Sequence, residues 1–165
     1  MFNFAWLTIK ASAAIAQLVE HFIRNEKVPG SSPGRGSTMK TELSSKNAPG
    51  AIGPYSQAVK AGNFIYVSGQ LPINPSTGQM PEGIKLQTAQ SLENIKAILS
   101  EAGATMDNVV KSTVYLADMD LFGDMNQVYG EYFKGGIYPA RAAFAVKELP
   151  KKALVEIEVV AFHCG

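Results

Sequence analysis

Arg141 stands in Tyr138-Pro139-Ala140-Arg141-Ala142-Ala143, at the start of an otherwise apolar run with only small alanines beside it. On a half-buried strand, a guanidinium with such small neighbours reads as a planar fork open to a carboxylate. A surface arginine, or one paired with an acidic side chain, is the alternative. A second place couples Asn126 with Glu156. Asn126 lies four residues after Phe122 and three before Tyr129, so it is expected on the apolar side of a helix and needs a partner if buried. Glu156 falls on the mixed face of the last strand, where a solvated carboxylate is the alternative. In Gly53-Pro54-Tyr55-Ser56-Gln57 the Gly-Pro pair sets a rigid turn that presents Tyr55, unless Tyr55 is simply a core residue. In Ser68-Gly69-Gln70-Leu71-Pro72 a glycine ends a strand, which suits either close approach to a ligand or a plain bulge. GxGxxG, Walker, HExxH and CxxC patterns are absent, and His163 is the single histidine after residue 38. Cofactor-free chemistry is therefore the enzymatic option in view.

These residues need elements to carry them. Lys40–Ser44, Tyr55–Lys60 and Phe64–Ser68 read as strands, the last two as a hairpin around Ala61-Gly62-Asn63. A loop rich in Pro and Gly follows. Thr88–Ala102 is the clearest helix, with Leu92, Ile95, Leu99 and Ala102 on one stripe and Gly103 as its stop. Val109–Leu116 is β-rich. Asp120 suits the N-cap of a second helix bearing Phe122, Met125, Tyr129 and Phe133, ended by Gly135-Gly136. Arg141–Val146 and Leu154–Phe162 close the chain. The order β-β-β-α-β-α-β-β predicts an α+β fold of about six strands with two helices on one face. The sheet's other face must meet solvent or another subunit. In the last strand, Val155, Ile157, Val159 and Ala161 suit the helices, while Glu156, Glu158, Val160 and Phe162 suit an interface.

The chain has 165 residues, 46% hydrophobic and 18% charged, with a formal charge of +1. Residues 1–38 hold four cations against two anions, which leaves −1 for residues 39–165. That balance lacks the basic footprint of a nucleic-acid binder. No apolar run approaches the roughly 18 residues of a membrane span. Cys164 is the only cysteine and can form no internal disulfide, so a cytosolic location is expected.

Residues 1–38 read as a leader separate from a domain at 39–165. Val28–Thr38 is Gly/Ser/Pro-rich and builds no packed element. Back-translation is more specific. Ala16–His21 can be encoded by GCT CAG TTG GTA GAG CAT, a transfer-RNA D-arm, and Gly30–Gly34 by GGT TCG AGT CCC GGT, a T-arm. Ala13-Ala14 as GCC GCG complements Arg35-Gly36 as CGC GGC, closing an acceptor stem. The expectation is a transfer-RNA gene read in frame, with the natural start at Met39.

Taken together, Gly53-Pro54-Tyr55-Ser56-Gln57, Val67-Ser68-Gly69-Gln70, Gln90-Ser91-Leu92-Glu93-Asn94, Pro139-Ala140-Arg141 and Val155-Glu156-Ile157-Glu158 resemble the reactive-intermediate deaminase (RidA/YjgF) family in order and spacing. The resemblance spans residues 39–165. It implies a chorismate-mutase-like fold, a homotrimer with clefts between subunits, and hydrolysis of 2-imino acids to 2-keto acids and ammonia without metal or organic cofactor. By motif position it makes Arg141 the grip on the substrate carboxylate and Glu156 the residue that activates water. Tyr55, Ser68, Gly69 and Asn126 would line the cleft. Many relatives carry cysteine two residues after this arginine. Ala143 stands there instead, leaving only its backbone available. A ribonuclease or translation-inhibitor role, also described in the family, and a non-catalytic small-molecule-binding trimer are the alternatives.

Overall fold

Runs of β-branched and aromatic residues form six strands: β1 Lys40–Leu43, β2 Ala58–Ala61, β3 Phe64–Gln70, β4 Val109–Leu116, β5 Ala140–Ala145 and β6 Val155–Phe162. Two helices, α1 Ile84–Ser100 and α2 Phe122–Tyr132, complete the fold. The computed structural model describes residues 40–164, so the leader and the start-site expectation lie outside the described residues. Across the sheet the order is β1-β2-β3-β6-β4-β5. Every neighbouring pair is antiparallel except β4 with β5. β3 and β4 both run against β6, hence parallel to each other, and α1 supplies the long crossover such strands require. α2 does the same between β4 and β5. This is the expected α+β sheet of six strands and two helices.

The period-two reading of β6 holds in space. Val155, Ile157, Val159 and Ala161 are buried under the helices, while Glu156, Glu158 and Val160 are half-buried and Phe162 is exposed on the far side. Leu92, Ile95, Ile98 and Leu99 of α1, with Met125, Tyr129 and Phe133 of the α2 region, fill the space above the sheet. Each such side chain contributes roughly 1.5–3 kcal/mol on leaving water. The opposite face keeps its aromatics outside. Phe64 packs edge-on to Phe162 at 5.2 Å, and Tyr115 packs edge-on to Phe144 at 5.4 Å. Among the described residues no helix covers this face, and none is long and apolar enough to cross a membrane.

Several boundaries differ from expectation for physical reasons. α1 begins at Ile84, not Thr88, because its buried stripe includes Thr88, Ser91 and Asn94, polar residues that interrupt the apolar pattern. Thr88 stays satisfied by donating its hydroxyl to the Ile84 carbonyl at 2.8 Å. α2 is entered through a single 3-10 turn whose cap is Asp118, not Asp120; the Asp118 carboxylate accepts the Asp120 N–H at 2.9 Å. β2 starts at Ala58 because Gly53-Pro54-Tyr55 forms a tight turn, with the Tyr55 N–H donating to the Gly53 carbonyl at 2.9 Å. β5 was expected to be half-buried, but it is the sheet's edge strand, and Arg141 on it is exposed.

Candidate functional site

β3 carries one residue too many for its partner. Val67 pairs with Val159 and Gln70 with Ile157, so three steps on β3 oppose two on β6. The extra residue is a bulge at Ser68-Gly69. It resets the alternation: Ile65 and Val67 face the core, and Gln70 returns to it, leaving Ser68 and Gly69 half-buried away from the core. The structure shows the bulge, and the bulge also brings the glycine backbone close to a side chain of the neighbouring strand. A Cβ at Gly69 would collide with the Glu156 carboxyl, standing 2.9 Å from its Cδ and 3.2 Å from its Cγ. Burial, and secondarily the charge of Glu158, raises the Glu156 carboxyl above its ordinary range.

Tyr55, Ser68, Gly69 and Glu156 line one cleft of about 820 Å³, together with Ile52 and Leu71 among others. Tyr55 is 51% exposed and so is no core residue; its hydroxyl accepts the Ile52 N–H at 3.4 Å. Ser68 spends its hydroxyl on the Ser56 carbonyl at 2.8 Å, tying the bulge to the loop that carries Tyr55. Two buried amides hold the cleft's walls. The Asn94 amide, fully buried on α1, donates to the Leu71 and Ile73 carbonyls at 3.0 Å each. Gln57 does the equivalent for the Ser45–Pro49 segment. Sequence reasoning had placed both in matching blocks without a role. No local pattern signalled that role, because the carbonyls they brace lie 8 to 23 residues away.

Arg141, Asn126 and Ala143 lie elsewhere. Arg141 pairs in register with buried Ser112, and Ala143 with buried Val114, on the side of the sheet that α2 covers. Glu156 pairs with Tyr115, an odd number of residues from Ser112 and hence on the other face. Asn126 is exposed rather than packed on the apolar side of α2, because the buried stripe runs through Met125 and Tyr129 and leaves position 126 at the helix flank. Its partner is Arg141, whose Nη2 donates to Asn126 Oδ1 at 2.8 Å. The guanidinium carbon sits 4.5 Å from the Tyr129 ring centroid and 5.5 Å from that of Phe122, two contacts sequence reasoning missed. The Tyr129 hydroxyl shares a 2.6 Å hydrogen bond with Ser112, which fixes the ring; burial raises its pKa. Among the described residues Arg141 makes no ion pair. Its fork is aimed and held, with donors to spare. One chain thus brings together Tyr55, Ser68, Gly69 and Glu156, and separately Arg141, Asn126 and Ala143.

Comparisons with known proteins place the chain in a family. The family model described as endoribonuclease L-PSP matches residues 45–163. A RutC family protein of Pyrococcus horikoshii is 56% identical over 125 residues, covering 75% of this chain and 98% of that protein. The human 2-iminobutanoate/2-iminopropanoate deaminase is 48% identical over 128 residues, covering 77% of this chain and 93% of that protein. Among solved structures, the Rid-family protein YyfA of Yersinia pestis superposes with a TM-score of 0.73 at 50% identity, covering 74% of this chain and 98% of that one. The chain belongs to the endoribonuclease L-PSP family, the family of the Rid (RidA/YjgF) proteins.

Proposed function

We propose that the protein hydrolyses small 2-imino acids, such as 2-iminobutanoate and 2-iminopropanoate, to 2-keto acids and ammonia, in clefts shared between copies of a homotrimer. The observation that carries this reading is the Glu156 carboxyl held against Gly69 in an open cleft, with its affinity for a proton raised. An iminium carbon is already electrophilic, so the site must mainly hold the substrate and place a water. Glu156 takes a proton from that water as its oxygen bonds to the carbon. The proton then passes to nitrogen, and as the C–N bond breaks and ammonia leaves, the new hydroxyl gives its remaining proton to Glu156 and becomes the carbonyl. Arg141 supplies the fork for the substrate carboxylate, with Asn126 and Tyr129 steadying it and the Ala143 backbone beside it. No electron sink or Lewis acid enters these steps.

Because Arg141 and Glu156 occupy opposite faces, the reading requires them to come from different copies, and it is tested accordingly. Arg141→Ala and Glu156→Gln proteins should each be nearly inactive in ammonia release from enzymatically generated 2-iminobutanoate. Unfolded together in equal amounts and refolded, they should regain about a quarter of wild-type activity, since one shared site in four then receives both intact residues. A mixture as inactive as its parents refutes the shared site. A ribonuclease reading is less favoured, because residues 39–165 carry a charge of −1 and have no basic run beyond Lys151-Lys152. A binding-only trimer would need Arg141 but not the Glu156 carboxyl.

A further inference from the structure

The wall of the cleft that carries Ile52 and Tyr55 has almost no anchorage of its own. Residues 50–55 are all exposed, and Gly53 sits at φ 123. Among the described residues Tyr55 hydrogen-bonds only within its own loop, to the Ile52 and Gly53 backbone. Such a segment holds one conformation only if its two ends are held, because each freed residue regains conformational entropy. Both ends are held through Gln57.

The Gln57 side chain is 3% exposed. Its Oε1 accepts the Ser45 N–H at 2.6 Å. Its Nε2 donates to the Pro49 carbonyl at 2.6 Å and lies 3.2 Å and 3.3 Å from the Ser45 and Ala48 carbonyls. The amide is thus saturated by the strand-to-loop segment that delivers the chain to Gly50. The main chain completes the clamp. The Gln57 carbonyl accepts the Ser68 N–H at 3.0 Å, and the Ser56 carbonyl accepts the Ser68 hydroxyl at 2.8 Å. One residue therefore ties the entry of the Tyr55 loop and its exit to the bulge beside Glu156.

We infer that Gln57 is a positioning residue: it sets the Tyr55 wall at a working distance from Gly69 and Glu156 without contacting the substrate. The inference rests on the function proposed above for this cleft. The chemistry of the position demands an amide, since it faces one N–H and three carbonyls. A methionine fills similar space with neither acceptor nor donor of comparable strength. A carboxylate can keep the acceptor, but it turns charge toward three carbonyl oxygens until it is protonated.

Three measurements test this. Gln57→Met should stay folded, lose hydrogen-exchange protection at Ser45 and over residues 50–56, and keep it in β3, β4 and β6. Its kcat/KM for imine hydrolysis should fall about 10- to 100-fold, mostly in kcat, as expected when reacting partners are misplaced by roughly 1 Å. Gln57→Glu should be impaired near neutral pH, and the ratio of its kcat/KM to wild type should climb as pH is lowered to about 5.5, where the introduced carboxyl regains a donor. That ratio is read within one folded protein, so it decides the matter even if Gln57→Met does not fold. A loosened loop with wild-type kcat/KM, or a Gln57→Glu ratio that ignores pH, overturns the inference. If the wild-type protein itself releases no ammonia, the proposed function falls instead. Positioning is then judged by hydrogen exchange, where unchanged protection at Ser45 and over residues 50–56 in Gln57→Met overturns it.

Discussion

Gly69→Ala separates a glycine needed for the backbone from a glycine needed for access. The Gly69 backbone is not in the left-handed region, so alanine meets no conformational penalty there. The added Cβ instead meets Glu156, whose Cδ would be 2.9 Å away and whose Cγ 3.2 Å away, with the carboxylate oxygen closer still. Comfortable contact begins at about 3.5 Å, so the carboxyl must retreat by roughly 1 Å. It is the end of a flexible side chain, half-buried and bordering a cleft, and can swing aside. The steric cost is then partly offset by the ~0.4–1 kcal/mol that alanine contributes by restricting the unfolded chain. Thermal stability should change by less than about 5 °C. Activity should not survive so well. Displacing the proposed water-activating group by about 1 Å should cost on the order of 10²-fold in kcat, or ~2.7 kcal/mol of transition-state stabilisation. Ammonia release in steady state, alongside scanning calorimetry on the same preparation, reads both quantities. Wild-type kcat in Gly69→Ala would refute the role given to the Gly69–Glu156 contact. A collapse in melting temperature would show that the bulge needs glycine for the fold itself.

Other outcomes follow from the same geometry. Arg141→Ala removes a charge-assisted contact worth roughly 2–3 kcal/mol, so kcat/KM should drop about 30- to 150-fold, much of it in KM, and Arg141→Lys should restore little because an ammonium has no planar fork; keto-acid affinity unchanged in Arg141→Ala refutes the anchor. Glu156→Gln should lower kcat about 10²-fold or more while keto acid still binds by calorimetry, and wild-type turnover would make Glu156 structural. Since the proposed base is ionised Glu156, kcat/KM should rise with pH through a limb above the ordinary carboxylate range. Burial and then the Glu158 charge hold it there, so Glu158→Gln should move that limb to lower pH. A limb that stays put or moves up contradicts the coupling. Light scattering should show a trimer, and a stable monomer at micromolar concentration would remove the shared site with it.

What the sequence determined was whatever depends on local period and local backbone chemistry. The two faces of β6, the extent of β4 and the glycine stop after α1 were legible because alternation and turn residues act over a few positions. The candidate residues were legible too, as residue types in blocks. Their grouping was not. Ser68-Gly69 is compatible with a bulge or a plain strand end, and only pairing with β6, some ninety residues away, sets the extra residue opposite Glu158 and brings Gly69 against the Glu156 carboxyl. Asn126 looked buried because helical spacing places it near Phe122 and Tyr129; the packing of α2 turned that stripe toward Met125 and left Asn126 to meet Arg141 on an edge strand. Gln57 and Asn94 gave no local sign of bracing two walls, since their partners are loop carbonyls 8 to 23 residues distant. Register between distant strands, and the partner of a buried amide, are chosen by the packing of the whole core. They therefore became readable only once α1 and α2 were seated on the sheet, with Arg141 on one face and Glu156 on the other.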